Sequence, residues 1–163
     1  MRKPLLWEWL VCLGIVFCLV GVFVPITACG CSEASPGTHC LSNSKQIALS
    51  LIIYAADYDE RLPDRDAWMD LATPYTKNQE IFVDPEIRVK GQHGYAFDSR
   101  LSRKKTDQFQ SPATQSMIYD SINLARNASD PFASLPNPGR HKGRNSIGYL
   151  DGHVKRVALP KTP

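Results

Sequence analysis

The sequence predicts an α+β protein: an N-terminal membrane helix, then a head in which one main amphipathic helix packs on an antiparallel β-sheet. Three observations predict it. The stretch WLVCLGIVFCLVGVFVPITA, residues 9–28, carries no charge and matches the ~20 apolar residues that span a bilayer as a helix. Between residues 44 and 58, Ile47, Ala48, Leu51, Ile52, Ala55 and Tyr58 recur at helical spacing. After residue 80 the pattern changes to short β-rich runs, the last two joined by Asp151-Gly152.

Composition bounds the rest. The chain has 163 residues, 43% of them hydrophobic and 21% charged, which excludes disorder throughout. A net charge of +3 is too mild to argue for nucleic acid. Arg2 and Lys3 precede the apolar run, so the positive-inside rule keeps the N-terminus cytoplasmic and exports the remainder from the inner membrane. Two readings of residues 1–29 stay open: an uncleaved single-pass anchor, or a lipoprotein-type signal. Ile26-Thr27-Ala28-Cys29 looks like a lipobox that would place a lipid on Cys29. Cys12 and Cys18 read as small hydrophobes in the apolar run. If Cys29 is lipidated, Cys31 and Cys40 form a natural disulfide pair in an oxidising compartment.

Residues 30–39 are small and polar and read as a linker, leaving 40–163 as the head. Ser42 or Asn43 can cap the amphipathic helix, and Arg61-Leu62-Pro63 stops it. A short helix over 64–76 follows, with Trp68, Met69 and Leu71 inward and Pro74 interrupting it. Strands are expected at 81–83, 94–97, 117–119, 145–150 and 153–159. Residues 121–139, with Pro131, Pro136 and Pro138, read as an irregular loop. Asp-Gly between apolar runs predicts a type I′ turn, which needs positive φ at both central residues. The acidic stretch 57–66 and the basic stretch 100–105 read as solvated surface.

Two stretches carry more than periodicity: residues 40–59 followed by Arg61-Leu62-Pro63, and Arg140-His141, Gly143, Asn145, Asp151-Gly152-His153. Nine residues separate His141 from Asp151-Gly152. Together with Trp68, Pro74-Tyr75, Ile81-Phe82, Pro85 and Ile118-Tyr119-Asp120, they resemble the prepilin-type, processing-associated H-x9-DG family. The resemblance implies a pilin-like head similar to the type II secretion pseudopilin, whose globular domain can hold calcium near its C-terminus. The chain departs from the family in lacking its Gly-Phe-Thr-Leu-Ile-Glu type signal. Pro25, Gly30, Pro36 and Gly37 are expected to break the continuous stem helix that a filament needs. The family's cysteine in its F-x-C-P segment is Asp84 here, so no disulfide can join that position to Cys40.

Candidate sites follow from residue chemistry. Asp151-Gly152 is a turn, or part of an oxygen-ligand set for calcium with Asp120. His141 and His153 with Asp120 and Asp151 offer a transition-metal set. Alternatively, Arg140, His141 and Asn145 satisfy carbonyls of the 121–139 loop. No Gly-x-Ser-x-Gly elbow or Gly-rich phosphate loop is present, and no enzymatic activity or resident cofactor is expected. The functional expectation is an exported, membrane-tethered, pseudopilin-like protein. It would act by contact with envelope proteins or itself, in secretion or surface assembly, and not on nucleic acid. The alternative is an exported calcium- or glycan-binding module.

Overall fold

The computed structural model describes residues 6–28, 35–87 and 89–159. The chain divides into two units, one ending at Glu33 and the other beginning at Ala34.

The first unit contains helix α1, Leu6–Ala28. It runs through Pro25, where a break was expected. Side-chain exposure is described for residues 7–19, all outward-facing, with Phe17 79% exposed. No helix among the described residues is both long and apolar enough to cross a membrane, which corrects the expected membrane helix. Cys29 and Cys31 lie outside the described residues.

The second unit is α+β, and its sheet is mixed where an antiparallel one was expected. Helix α2 spans Pro36–Asp57. It therefore starts inside the stretch read as a linker, because proline at the first turn presets φ and lacks only an N–H that would be unpaired there. Its buried face holds Cys40, Ser44, Ile47, Ala48, Leu51, Tyr54 and Ala55. Helix α3 is short, Trp68–Ala72, and continues as a 3₁₀ turn through Thr73–Tyr75. The strand expected at 81–83 is a 3₁₀ turn, Gln79–Phe82, capped by Asn78 Oδ1 accepting from the Glu80 N–H.

Five strands follow: β1 Tyr95–Asp98, β2 Ser116–Asp120, β3 Ser129–Asp130, β4 Arg144–Tyr149 and β5 Val154–Ala158. They lie in the order β3-β1-β2-β4-β5. All neighbours are antiparallel except β1 and β3, which are parallel, Phe97 opposite Ser129. The parallel strand arises because the segment 121–128 carries the chain from the end of β2 across β1 to its far edge. Two polar residues followed by Pro131 show no alternation, so the pattern gave no sign of β3.

The sheet is covered on both faces. On one, Phe97, Tyr95, Met117 and Ile118 join Ile47, Ala48, Leu51 and Trp68 in the main core. A register irregularity between Ser116 and Ile118 lets both Met117 and Ile118 join this cluster. On the other face Ala96, Tyr119 and Ile147 pack with Phe132 and Leu135 of the loop. A fully buried Ile, Leu, Met or Phe among them contributes about 1.5–3 kcal/mol in transfer free energy. The acidic and basic stretches are not separate solvated runs but neighbours. Leu62 N–H donates to Lys104 O at 2.9 Å, and Asp64 pairs with Arg103.

Two tight turns shape the C-terminal half. The type I′ geometry expected at Asp151-Gly152 occurs instead at Lys142-Gly143, with φ of 55° and 79°. That turn closes on His141 and Arg144 through reciprocal backbone bonds of 3.0 and 3.2 Å. At the β4–β5 end only Gly152 has positive φ, 84°. Gly152 N–H donates to Tyr149 O, and Tyr149 N–H donates to His153 O. This is a three-residue loop: a turn over Leu150-Asp151 followed by a left-handed glycine.

Candidate functional site

Three separate elements bring ionisable side chains to one buried point. Cys40 stands in the first turns of α2, Asp120 ends β2, and His141 opens the turn before β4. Asp84 joins them from the loop after the 79–82 turn. One ligand atom from each of Cys40, Asp84, Asp120 and His141 lies within 4.8 Å of all the others. Cys40, Asp84 and Asp120 are 0% exposed and His141 1%.

The hydrogen bonds define the protonation of this cluster. His141 Nε2–H donates to Asp84 Oδ2 at 2.9 Å, and Nδ1–H donates to Glu86 Oε1 at 3.1 Å. Carboxylates only accept, so both ring nitrogens carry protons and His141 is an imidazolium. Asp120 Oδ2 lies 3.7 Å from the same Nε2. The Cys40 thiol donates to Asp120 Oδ1 at 3.2 Å and contacts Ser146 Oγ at 3.3 Å, while Tyr95 Oη–H donates to the sulfur at 3.5 Å. Ser146 N–H donates to Asp120 Oδ2 at 2.7 Å. Arg140 Nη1 reaches Asp84 Oδ2 at 3.2 Å and Gly94 O at 3.1 Å.

The pKa directions follow. Burial pushes the Cys40 thiol far up, and the Asp120 charge adds to it. Burial also raises the Asp120 carboxyl to about 6, against the Ser146 and Cys40 bonds. For His141 burial alone would lower the value, but the Asp84 bond and the charges of Asp84 and Asp120 outweigh it and raise it. Asp84 is held below the usual carboxylate range: burial opposes this, and the His141 bond, the Glu86 N–H and the His141 and Arg140 charges win.

Of the expected metal set, Asp120 and His141 are together in this cluster. Asp151 and His153 sit at the β4–β5 turn and pair with each other, His153 N–H donating to Asp151 Oδ1 at 3.1 Å. Burial would raise the Asp151 carboxyl, but the His153 bonds lower it. Cys40, expected opposite Cys31 in a disulfide, is a free buried thiol. Of the residues expected to satisfy loop carbonyls, Asn145 donates to Pro136 O at 2.8 Å and Arg140 Nη2 to Ser121 O at 2.5 Å. The His141 ring faces carboxylates instead. Gly143 supplies the positive φ of the turn that presents His141.

Sequence reasoning missed Asp84, Glu86, Tyr95 and Ser146 as members of the site. A signal for Asp84 existed: it replaces the cysteine that the resemblance would bond to Cys40, and the fold places the two side by side.

Comparisons with protein-family models, with curated proteins and with solved structures found no match.

Proposed function

We propose that the chain is an exported, membrane-tethered, pseudopilin-like protein of the cell envelope. It acts by contact with neighbouring proteins of a secretion or surface-assembly system, and not by catalysis. The reading rests on the motif resemblance over residues 40–157 and on one surface of the head. On α2, Leu49 and Ile53 are one turn apart and 42% and 48% exposed. They line a groove with Gln46, Tyr75, Lys77 and Ile81. Exposed apolar side chains one helical turn apart beside a groove fit a protein partner better than a small polar ligand. The buried position of the His141 cluster supports the non-catalytic reading, since Cys40, Asp120 and His141 present almost no surface to a substrate and of the four only Asp84 borders a groove.

The test is photo-crosslinking in intact cells, with the reactive group at residue 49 or 53 and a control at the exposed Thr114. Discrete protein adducts from 49 and 53 and none from 114 are expected. A head that yields no adduct at either position overturns the reading.

A further inference from the structure

The geometry points to a divalent transition-metal site, best suited to Zn²⁺, formed by Cys40 Sγ, Asp84 Oδ2, Asp120 and His141 Nε2. Four donors of three types, thiolate, imidazole and carboxylate, are the ligands zinc takes in four-coordinate sites. With bonds of 2.0–2.3 Å, a tetrahedral centre sets its ligand atoms about 3.3–3.8 Å apart. The short pairs here are His141 Nε2–Asp84 Oδ2 at 2.9 Å, Cys40 Sγ–Asp120 Oδ1 at 3.2 Å and His141 Nε2–Asp120 Oδ2 at 3.7 Å, so either Asp120 oxygen faces the centre. All four donor atoms lie within 4.8 Å of one another, so a contraction of up to about 1 Å converts the hydrogen-bonded cluster into a coordination shell.

The surroundings match a built site. Glu86 accepts from His141 Nδ1, which leaves Nε2 as the nitrogen directed at the cluster. A carboxylate orienting a ligating histidine in this way is the usual outer support of zinc sites. Arg140 fixes Asp84, and the Ser146 N–H fixes Asp120. Ser44, one turn beyond Cys40 on the same helix face, is buried with an unpartnered hydroxyl. A surface groove walled by His39, Asn43, Glu80 and Val83 includes Asp84, which gives the ion a way in.

The balance of protons and charge also closes. On binding, the Cys40 thiol proton and the His141 Nε2 proton leave to solvent, and the metal takes the position their hydrogen bonds span. One thiolate and two carboxylates against a dication leave a single surplus negative charge, beside which Arg140 already stands. The site goes beyond the contact function and does not depend on it.

The test uses the full chain in mild detergent, stripped with chelator and titrated with Co²⁺, then Zn²⁺. Expected is binding of about one equivalent of Co²⁺ with a thiolate-to-cobalt charge-transfer band, displaced by Zn²⁺, and a melting temperature raised by Zn²⁺. A variant with Cys12, Cys18, Cys29 and Cys31 all changed to Ser keeps the band, because Cys40 is then the sole thiol. Cys40→Ala loses it. Glu86→Gln keeps the band but weakens Zn²⁺ binding about 10–100-fold. Absence of the band in the four-serine variant, or its persistence in Cys40→Ala, overturns the assignment.

Discussion

Replacing Gly152 separates a turn from a ligand in the Asp-Gly motif. Gly152 has φ +84°, and a Cβ there would meet Ile52 Cδ1 at 2.9 Å and Leu49 Cδ2 at 3.5 Å. Those atoms are ends of flexible side chains, so the steric part is small and the backbone part dominates. Alanine in the left-handed region costs about 1–2 kcal/mol. Reduced freedom of the unfolded chain returns about 0.4–1 kcal/mol. The net expectation for Gly152→Ala is a loss of roughly 1 kcal/mol, or about 3–5 °C in Tm for a unit of this size. Asparagine tolerates positive φ and a β-branched residue does not. Gly152→Asn is therefore expected to cost less than Gly152→Ala, and Gly152→Val more. Asp151→Ala loses an exposed acceptor for the His153 N–H and is expected to cost about 0.5–1 kcal/mol. The assay is urea unfolding of the full chain followed by near-UV circular dichroism. An asparagine variant as unstable as the valine one, or an alanine variant as stable as the parent, refutes the reasoning.

Asn145→Ala removes the donor to Pro136 O and the acceptor of the Arg140 N–H, leaving buried backbone groups unpaired. A cost of about 1–3 kcal/mol is expected, with faster amide exchange confined to the 121–139 loop and the 140–144 turn. Burial would raise the Asp130 carboxyl, but bonds from Ser134, Tyr119 and the Ala133 N–H lower it below 3.8. A depressed folded-state value stabilises above the unfolded pKa and is lost as pH falls through the folded one. Acid titration should therefore show the stability gap between the parent and Asp130→Asn narrowing below about pH 4; a gap independent of pH counts against it.

What the sequence made legible was whatever obeyed a period. The stripe at Ile47, Ala48, Leu51 and Ala55 marked α2, and short β-rich runs marked β1, β2, β4 and β5. Elements held by single contacts left no such trace. The Ser129-Asp130 strand is fixed by pairing with Phe97 and Asp98, and Asn127 accepts from the Met69 N–H just before it. The same holds at the site. Asp120 and His141 were visible because they belong to motifs, whereas Asp84 and Glu86 lie on a loop whose path only tertiary packing determines. Asp151-Gly152 was marked as a turn by residue type, whereas Lys142-Gly143 was not, since Lys has no preference for positive φ, and strand register makes the unmarked pair the two-residue form.

Lys45 of α2 donates to the Gly152 carbonyl at 2.6 Å, more than a hundred positions along the chain. The first helix of the head is thus fastened to its last hairpin. A growing polypeptide cannot complete that contact until Gly152 has been made. This contact closes a loop of more than a hundred residues, so the entropy of that closure is spent before the bond repays it.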